Sequence, residues 1–368
     1  MLRRGECTSV PHLGGGRKMW AEVLIVNRAS RSAWRIQRHR FLLAVLLIVV
    51  IVATVELHAQ TCLSSPDMDA STRSGLEAAA KRFFDMSARG DTAGLKQSAI
   101  SSIAENFAGV ENAVKQNQAN FSGASGTVRP PFFLNAEGTA PLERAEFLCG
   151  VFGPSGQTNQ SAVFLLHNLP PGRYGLAIID VKGGKQSRAL TLILEQLQGD
   201  WKLAGYYVTA PEAAGHDSAW FAQRARDFKA KSEMHNAWLY YRTAISLAVP
   251  VDFMSTLATD KLYDEIQSVQ AADMPVNGNA VDLSIAGKTL RWTDVFALGV
   301  GDDLDLVVKY SVQDISNTQK TYEQNVQVTK AVVAKFPELR DAFAGVVARA
   351  VDPSGQDYGS LLPMKEIK

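Results

Sequence analysis

The sequence predicts an α+β protein: N-terminal helices with an antiparallel β-meander, then a helical hairpin connector, then a small C-terminal α+β domain. Three observations carry that prediction. Apolar residues recur at helical spacing over 74–120 and again over 217–269. Between them, from 145 to 208, short β-branched or aromatic runs alternate with turn chemistry. A length of 368 residues, 46% of them hydrophobic, suits two or three cores rather than one and excludes a disordered or collagenous chain. The formal charge of +1 excludes a strongly basic nucleic-acid binder.

The first segment reads as an address. Five arginines (Arg28, Arg31, Arg35, Arg38, Arg40) precede the uncharged run FLLAVLLIVVIVATV at 41–55, and polarity returns at Glu56. A basic region, an apolar stretch and Ala59 at a cleavage position describe an export signal over 1–59. Fifteen residues fall short of the roughly 20 that span a membrane, although the large Leu57 keeps an uncleaved single-pass anchor at 41–55 as the alternative. The expectation is an exported protein of the bacterial periplasm or cell envelope, touching a membrane only through that segment if it stays uncleaved. Removing 1–59 leaves 29 basic and 34 acidic residues, a net of −5, which gives no reason to expect nucleic acid or anionic lipid as partner.

Two cysteines, Cys62 and Cys149, remain in the mature chain, and an even number in an oxidising compartment suggests a disulfide. Two free thiols, with Cys149 a small buried hydrophobe, and lipidation of Cys62 are the alternatives.

Residues 67–73 read as a polar linker. Ser74 and Glu77 match a capping box ahead of a helix with Leu76, Ala80, Phe83 and Phe84 inward. Gly90 stops it and Asp91 caps the next helix, through Leu95. A third helical stretch covers about 100–120, and the Gly- and Pro-rich 123–141 reads as mostly loop. Strands are expected at 145–152, 162–167, 174–181, 190–197 and 201–208, too closely spaced for crossover helices and hence one antiparallel meander. Leu190, Leu192 and Leu194 form a clean apolar face, and 174–181 is apolar on both faces, as a central strand covered on both sides would be.

The opening AKRFFDMSARGDTAGL (80–95) and the closing Trp201–Tyr207 run resemble the first helices and last strand of the cone-shaped α+β fold shared by ketosteroid isomerase and nuclear transport factor. The resemblance covers about 72–210. It implies a cup between sheet and helices that family members use for catalysis, binding or dimerising, so a homodimer is among its implications. No catalytic residue of that family maps onto this chain. The run Leu169-Pro-Pro-Gly-Arg-Tyr174 is equally similar to small transthyretin-like β-sandwiches.

Beyond 210, Asp217 or Ser218 caps a helix to about Lys231, and Met234 opens a second. Phe221, Ala225 and Phe228, then Ala237, Tyr241 and Ala244, with Pro250, resemble one tetratricopeptide-like helical hairpin. A solenoid needs about three such units, so a connector over 216–272 is expected instead of a peptide-binding array. A third helix is expected over 253–269. The C-terminal domain, 278–368, would hold strands at 280–286, 288–296 and 304–312. A helix boxed by Ser316 and Gln319 follows, with Tyr322, Val326, Val333 and Phe336 inward, then a strand at 342–351 and a short mixed tail.

Little in this pattern points to catalysis. His167, His216 and His235 share no metal-binding spacing, and neither HExxH nor CxxC occurs, so no metal and no cofactor is implied. Asp302, Asp303 and Asp305 are too few oxygens for a calcium loop. Gly183-Gly184-Lys185 has the residue types of a phosphate loop without the spacing and reads as a turn. Asn120 and Asn159 open glycosylation sequons. Asp180 in an apolar strand, with Tyr174 and His167 in neighbouring elements, is the candidate ligand-binding set; Asp180 reads either as a buried acid or, equally, as a residue facing solvent near the strand end. The expected function is that of a non-enzymatic envelope protein binding an unidentified protein or small-molecule partner. The alternatives are an enzyme acting on a small hydrophobic substrate in the cup, and a scaffold using exposed hairpin aromatics such as Trp220 and Tyr240.

Overall fold

The computed structural model describes residues 60–152, 156–276, 278–285 and 287–368. The leader at 1–59 lies outside the described residues, as do residues 153–155 between the strands expected at 145–152 and 162–167. Strand β1 (Gln60–Leu63) leads into a 3₁₀ turn and helix α1 (Ala70–Ala88). The helix starts four residues before Ser74 because Asp69 is the stronger cap: its Oδ1 accepts from Thr72 N at 2.8 Å and Ser71 Oγ at 2.6 Å. Those bonds hold the Asp69 carboxyl well below the usual range. Gly90, at φ +69°, ends the helix, and Asp91 caps α2 (Thr92–Gln97), as expected. The stretch expected as one helix over 100–120 is two, α3 (Ser101–Glu105) and α4 (Ala108–Phe121). Asn106 breaks it, its side chain bonding Ser102 O in place of a regular turn.

The segment expected as loop instead holds β2 (Ser125–Val128) and β3 (Phe132–Ala136). Its glycines and prolines flank the strands or serve close packing: a Cβ on Gly126 would lie 2.7 Å from the Phe84 ring. Then come β4 (Leu142–Cys149), β5 (Ala162–Leu169), β6 (Gly172–Lys182), β7 (Arg188–Leu197) and β8 (Asp200–Thr209). They are not one meander. The chain passes from one sheet to another between β5 and β6, where Asn168 turns at φ +51° and Pro170 and Pro171 offer no ladder donors. One sheet runs β1-β3-β6-β7-β8, with β2 continuing the β3 edge of β6; β4 and β5 belong to a second sheet.

Strand β6 is buried on both faces, as its sequence predicts. Ala177, Ile179 and Val181 face Phe83, Phe84, Phe121, Leu190, Leu192 and Leu194 beneath the helices. Tyr174, Leu176 and Ile178 face Ala145, Phe147, Phe164 and Leu166 of the second sheet. The space between helices and sheet, where a cup would lie, is filled by the first of these two cores.

Two-residue strands β9 (Glu212–Ala213) and β10 (His216–Asp217) precede α5 (Ser218–Ala230) and α6 (Met234–Ala248), with Asp217 capping α5. The helix expected over 253–269 opens instead as β11 (Met254–Thr256), a third strand on β5, before α7 (Leu257–Gln267). Next are β12 (Val281–Ile285), β13 (Lys288–Val300), β14 (Asp303–Ser311), α8 (Thr318–Lys335), β15 (Gly345–Val351) and β16 (Asp357–Pro363). They form one sheet in sequence order, parallel only between β14 and β15, where α8 makes the crossover. The tail thus supplies a full edge strand.

Hairpin and sheet share one core, in which Phe221, Phe228, Tyr240 and Tyr241 join Trp292, Leu306, Val332 and Phe343. On helix α8, Val333 and Phe336 are buried and Val326 half-buried as expected, but Tyr322 is exposed, and Thr321, Asn325, Val328 and Val332 complete the inner face. Asn325 sets the helix rotation, accepting from Tyr310 Oη at 2.7 Å and donating to Ser360 Oγ at 2.9 Å. Asn317, not Ser316, caps the helix.

A disulfide joins Cys62 to Cys149, which lie 87 positions apart in sequence with Cα atoms 4.9 Å apart. It staples β1 of the large sheet to β4 of the small one. Replacing both cysteines by serine is expected to lower the unfolding free energy by about 4 kcal/mol, on the chain-entropy argument for so long a loop. Urea unfolding of the two proteins reads it, and equal midpoints would show that apolar packing alone holds the sheets together.

Candidate functional site

The three side chains singled out in the sequence do not converge. Of the two readings of Asp180, the solvent-facing one fits: near the end of β6 its carboxylate lies in a bidentate pair with Arg129, at 2.7 Å from Nη2 and 3.0 Å from Nε, and both side chains are about one-third or more exposed. Tyr174 lies on the same face of β6 six residues away, about 20 Å at strand rise. Its hydroxyl donates to Pro170 O at 2.9 Å, fastening the turn between the two sheets, and burial, helped by the Glu195 charge, pushes its pKa up to about 12. His167 is exposed near the end of β5, opposite Arg144.

The remaining expectations also resolve into structure. His216 stacks on Trp220 with ring centroids 3.7 Å apart. His235 ties three segments together, with Nδ1 2.5 Å from Glu338 and Nε2 3.0 Å from Asp273. Tyr240 is 4% exposed and donates to Ala342 O, so the aromatics named for a scaffold surface are inside or stacked. Asn120 of the first sequon is buried. Among the described residues no cluster of three His, Cys, Asp or Glu is placed to hold a metal ion, and no helix is long and apolar enough to cross a membrane.

A cleft of about 870 Å³ opens elsewhere, where four segments meet. The first wall is the β6–β7 turn with the start of β7, Gly183 to Arg188. This turn is strapped to the end of α4: Lys185 N donates to Ala119 O at 3.1 Å and Gln186 N to Asn120 Oδ1 at 3.1 Å. Gly184 allows the approach, since a Cβ there would sit 2.0 Å from Asn120 O. The second wall is the β9–β10 hairpin. Its two loop residues, Ala214 at φ +48° and Gly215 at φ +73°, both take the left-handed conformation that a two-residue hairpin favours. The third is the β13 end, where Gly299 presses on that hairpin so closely that a Cβ would lie 2.5 Å from Ala214 N. Helix α6 closes the cleft with Arg242, Thr243, Ser246 and Leu247.

Three cations line this space, Lys185, Arg188 and Arg242, against Glu212 and Asp302. Lys185 and both carboxylates are exposed, whereas the two arginines are half-buried. Arg188 donates from Nε to Asn117 Oδ1 at 3.1 Å, from Nη1 to Ser187 O at 2.8 Å and from Nη2 to Gln186 Oε1 at 2.5 Å. Arg242 donates to Val295 O at 2.6 Å and lies over the Trp238 ring, 4.7 Å from its centroid. Burial lowers the proton affinity of both guanidinia, with Asp294 partly offsetting this at Arg242. Sequence reasoning missed this site because its residues come from a turn, a two-residue hairpin, the end of a strand and one helix face that are far apart in sequence. The signals were Gly183-Gly184-Lys185, read as a turn only, and Gly299 inside a strand.

Of the acidic run beside the cleft, Asp303 is exposed but Asp305 is only 4% exposed. Burial, then the Asp303 charge, raises its pKa against a backbone bond from Gly345. A raised folded-state pKa means that the ionised form costs stability above that pKa, and that stability is regained as pH falls through it. Asp305→Asn, which keeps an acceptor for Gly345, is therefore expected to be more stable than the parent at pH 7. Its advantage should vanish in acid, which melting curves across pH would show.

The close approaches at the cleft walls are testable in the same way. Gly184→Ala and Gly299→Ala are each expected to destabilise by about 1–3 kcal/mol. Gly109→Ala, in open space on α4, should instead stabilise by up to about 1 kcal/mol. Equal effects of all three in urea would mean that the walls are not held by these contacts. No family model, no curated protein and no solved structure matches this chain.

Proposed function

We propose that this chain is an exported, non-enzymatic binding protein of the cell envelope, and that residues 60–368 take a small polar molecule in the cleft bounded by the β6–β7 turn, the β9–β10 hairpin, β13 and α6. The observation that carries the reading is that each wall is fixed from behind before any ligand arrives. The turn is strapped to α4, the hairpin is wedged by Gly299, and Arg242 is held by a carbonyl and an indole ring. Rigid walls reduce the ordering cost of binding, and a volume near 870 Å³ lies within the range of small-molecule sites. The Cys62–Cys149 bridge suits an oxidising compartment, which supports export. The apolar cup is not the site in this reading, because its space is filled by core side chains.

Native mass spectrometry of residues 60–368, produced through a periplasmic route and sprayed gently, tests the reading. The expected result is copurified mass that leaves on denaturation and is reduced in Gly299→Ala. Bare monomer or dimer, with no small molecule retained from periplasmic extract, would overturn it.

A further inference from the structure

The charge balance of the cleft narrows what it takes. We infer that the ligand carries an oxyanion, a carboxylate or a phosphate, recognised by the guanidinium groups of Arg188 and Arg242 with Lys185 adding long-range attraction. This rests on the binding reading above and specifies its ligand.

Several arginines elsewhere in the molecule meet carboxylates: half-buried Arg129 with Asp180 at 2.7 Å and Arg349 with Asp357 at 2.7 Å, and exposed Arg226 with Glu265 at 2.8 Å. Among the described residues, no carboxylate lies within 4.0 Å of Arg188 or Arg242. Both are hydrogen-bonded by neutral acceptors that fix the planar fork, and the Asp294 charge acts on Arg242 only from beyond ion-pair distance. Half-buried Arg73 and exposed Arg82 and Arg340 also bond carbonyls, but none of them borders the cleft. Three of the five N–H groups of Arg188 have protein acceptors, so two remain for a ligand. Partial removal from water strengthens attraction to an incoming anion, while Glu212 and Asp302, exposed and screened by solvent and salt, oppose it weakly. A planar fork with two free donors matches an oxyanion better than a halide or a neutral hydroxyl. The polar lining of Gln186, Ser187 and Ser246 suits the rest of a hydrophilic molecule rather than a hydrocarbon tail.

The test is titration calorimetry of residues 60–368 with inorganic phosphate and with succinate, at low and at physiological salt. At least one probe is expected to bind, more weakly as salt rises. Arg188→Gln and Lys185→Glu should each weaken it tenfold or more. Lys330→Glu, an exposed change of equal charge on α8 away from the cleft, should shift it less than twofold. Lys185 is exposed, so its reversal leaves the fold intact, and circular dichroism checks Arg188→Gln. Absence of heat with both probes overturns the inference, as does equal weakening by Lys330→Glu and Lys185→Glu, which would report surface charge alone. A copurified neutral molecule in the native spectrum would leave the binding reading standing and overturn the oxyanion. Bare protein together with no anion binding would end both.

Discussion

Strand β6 has apolar side chains pointing both ways, and neither face can be left to water. Burying Ala177, Ile179 and Val181 requires helices α1 and α4 on one side; burying Tyr174, Leu176 and Ile178 requires β4 and β5 on the other. At about 25 cal/mol per Å² of apolar area, either face left open would remove several kcal/mol from a domain whose net stability is about 5–15. The layers of the N-terminal half follow from this single strand. So does the crossing at Pro170 and Pro171, because only a chain that leaves one sheet before entering β6 can lie on the far side of it. The disulfide then joins the two sheets at their margin, where β1 and β4 are held by fewer neighbours than the central strands.

The C-terminal half solves the same problem differently. Its sheet is covered by α8 and by the helical hairpin on one face, and Tyr240 and Asn325 bond across that layer to Ala342, Tyr310 and Ser360. These polar pairs are satisfied inside the core. They fix the rotation of the helices where apolar packing alone would accept several settings.

Much of this was legible in the sequence, and the failures have specific causes. Alternation and helical spacing gave β6, β7, β8 and α1 their existence and their inward faces, including Leu190, Leu192 and Leu194. Periodicity does not say which strands pair, so one expected meander became two sheets. Composition misled at 123–141, because glycine was needed for the approach of Phe84 and proline flanks β3 instead of breaking it. The inner face of α8 was read correctly at Val333 and Phe336 but wrongly at Tyr322, because Asn325, polar by residue type, is buried by its partners and no scale based on hydrophobicity ranks it inward. The cleft was the least legible feature. Arg188 and Arg242 lie 54 positions apart, each ordinary in its local pattern, and only the folded chain brings them to one space.

That juxtaposition has a physical consequence for how the two halves of residues 60–368 work together. The β6–β7 turn belongs to the N-terminal sheet, whereas α6 and β13 belong to the core of the C-terminal half. A ligand held by Arg188 and Arg242 therefore bonds to both cores at once. Its binding free energy adds to the stability of their association, since whatever binds only the closed arrangement stabilises it by mass action. The glycines at the walls fix each side by backbone contact, Gly184 against Asn120 of α4 and Gly299 against Ala214 of the β9–β10 hairpin, which no rotamer change can relax. The fork geometry is thus fixed by each half separately, and occupancy of the cleft couples the two.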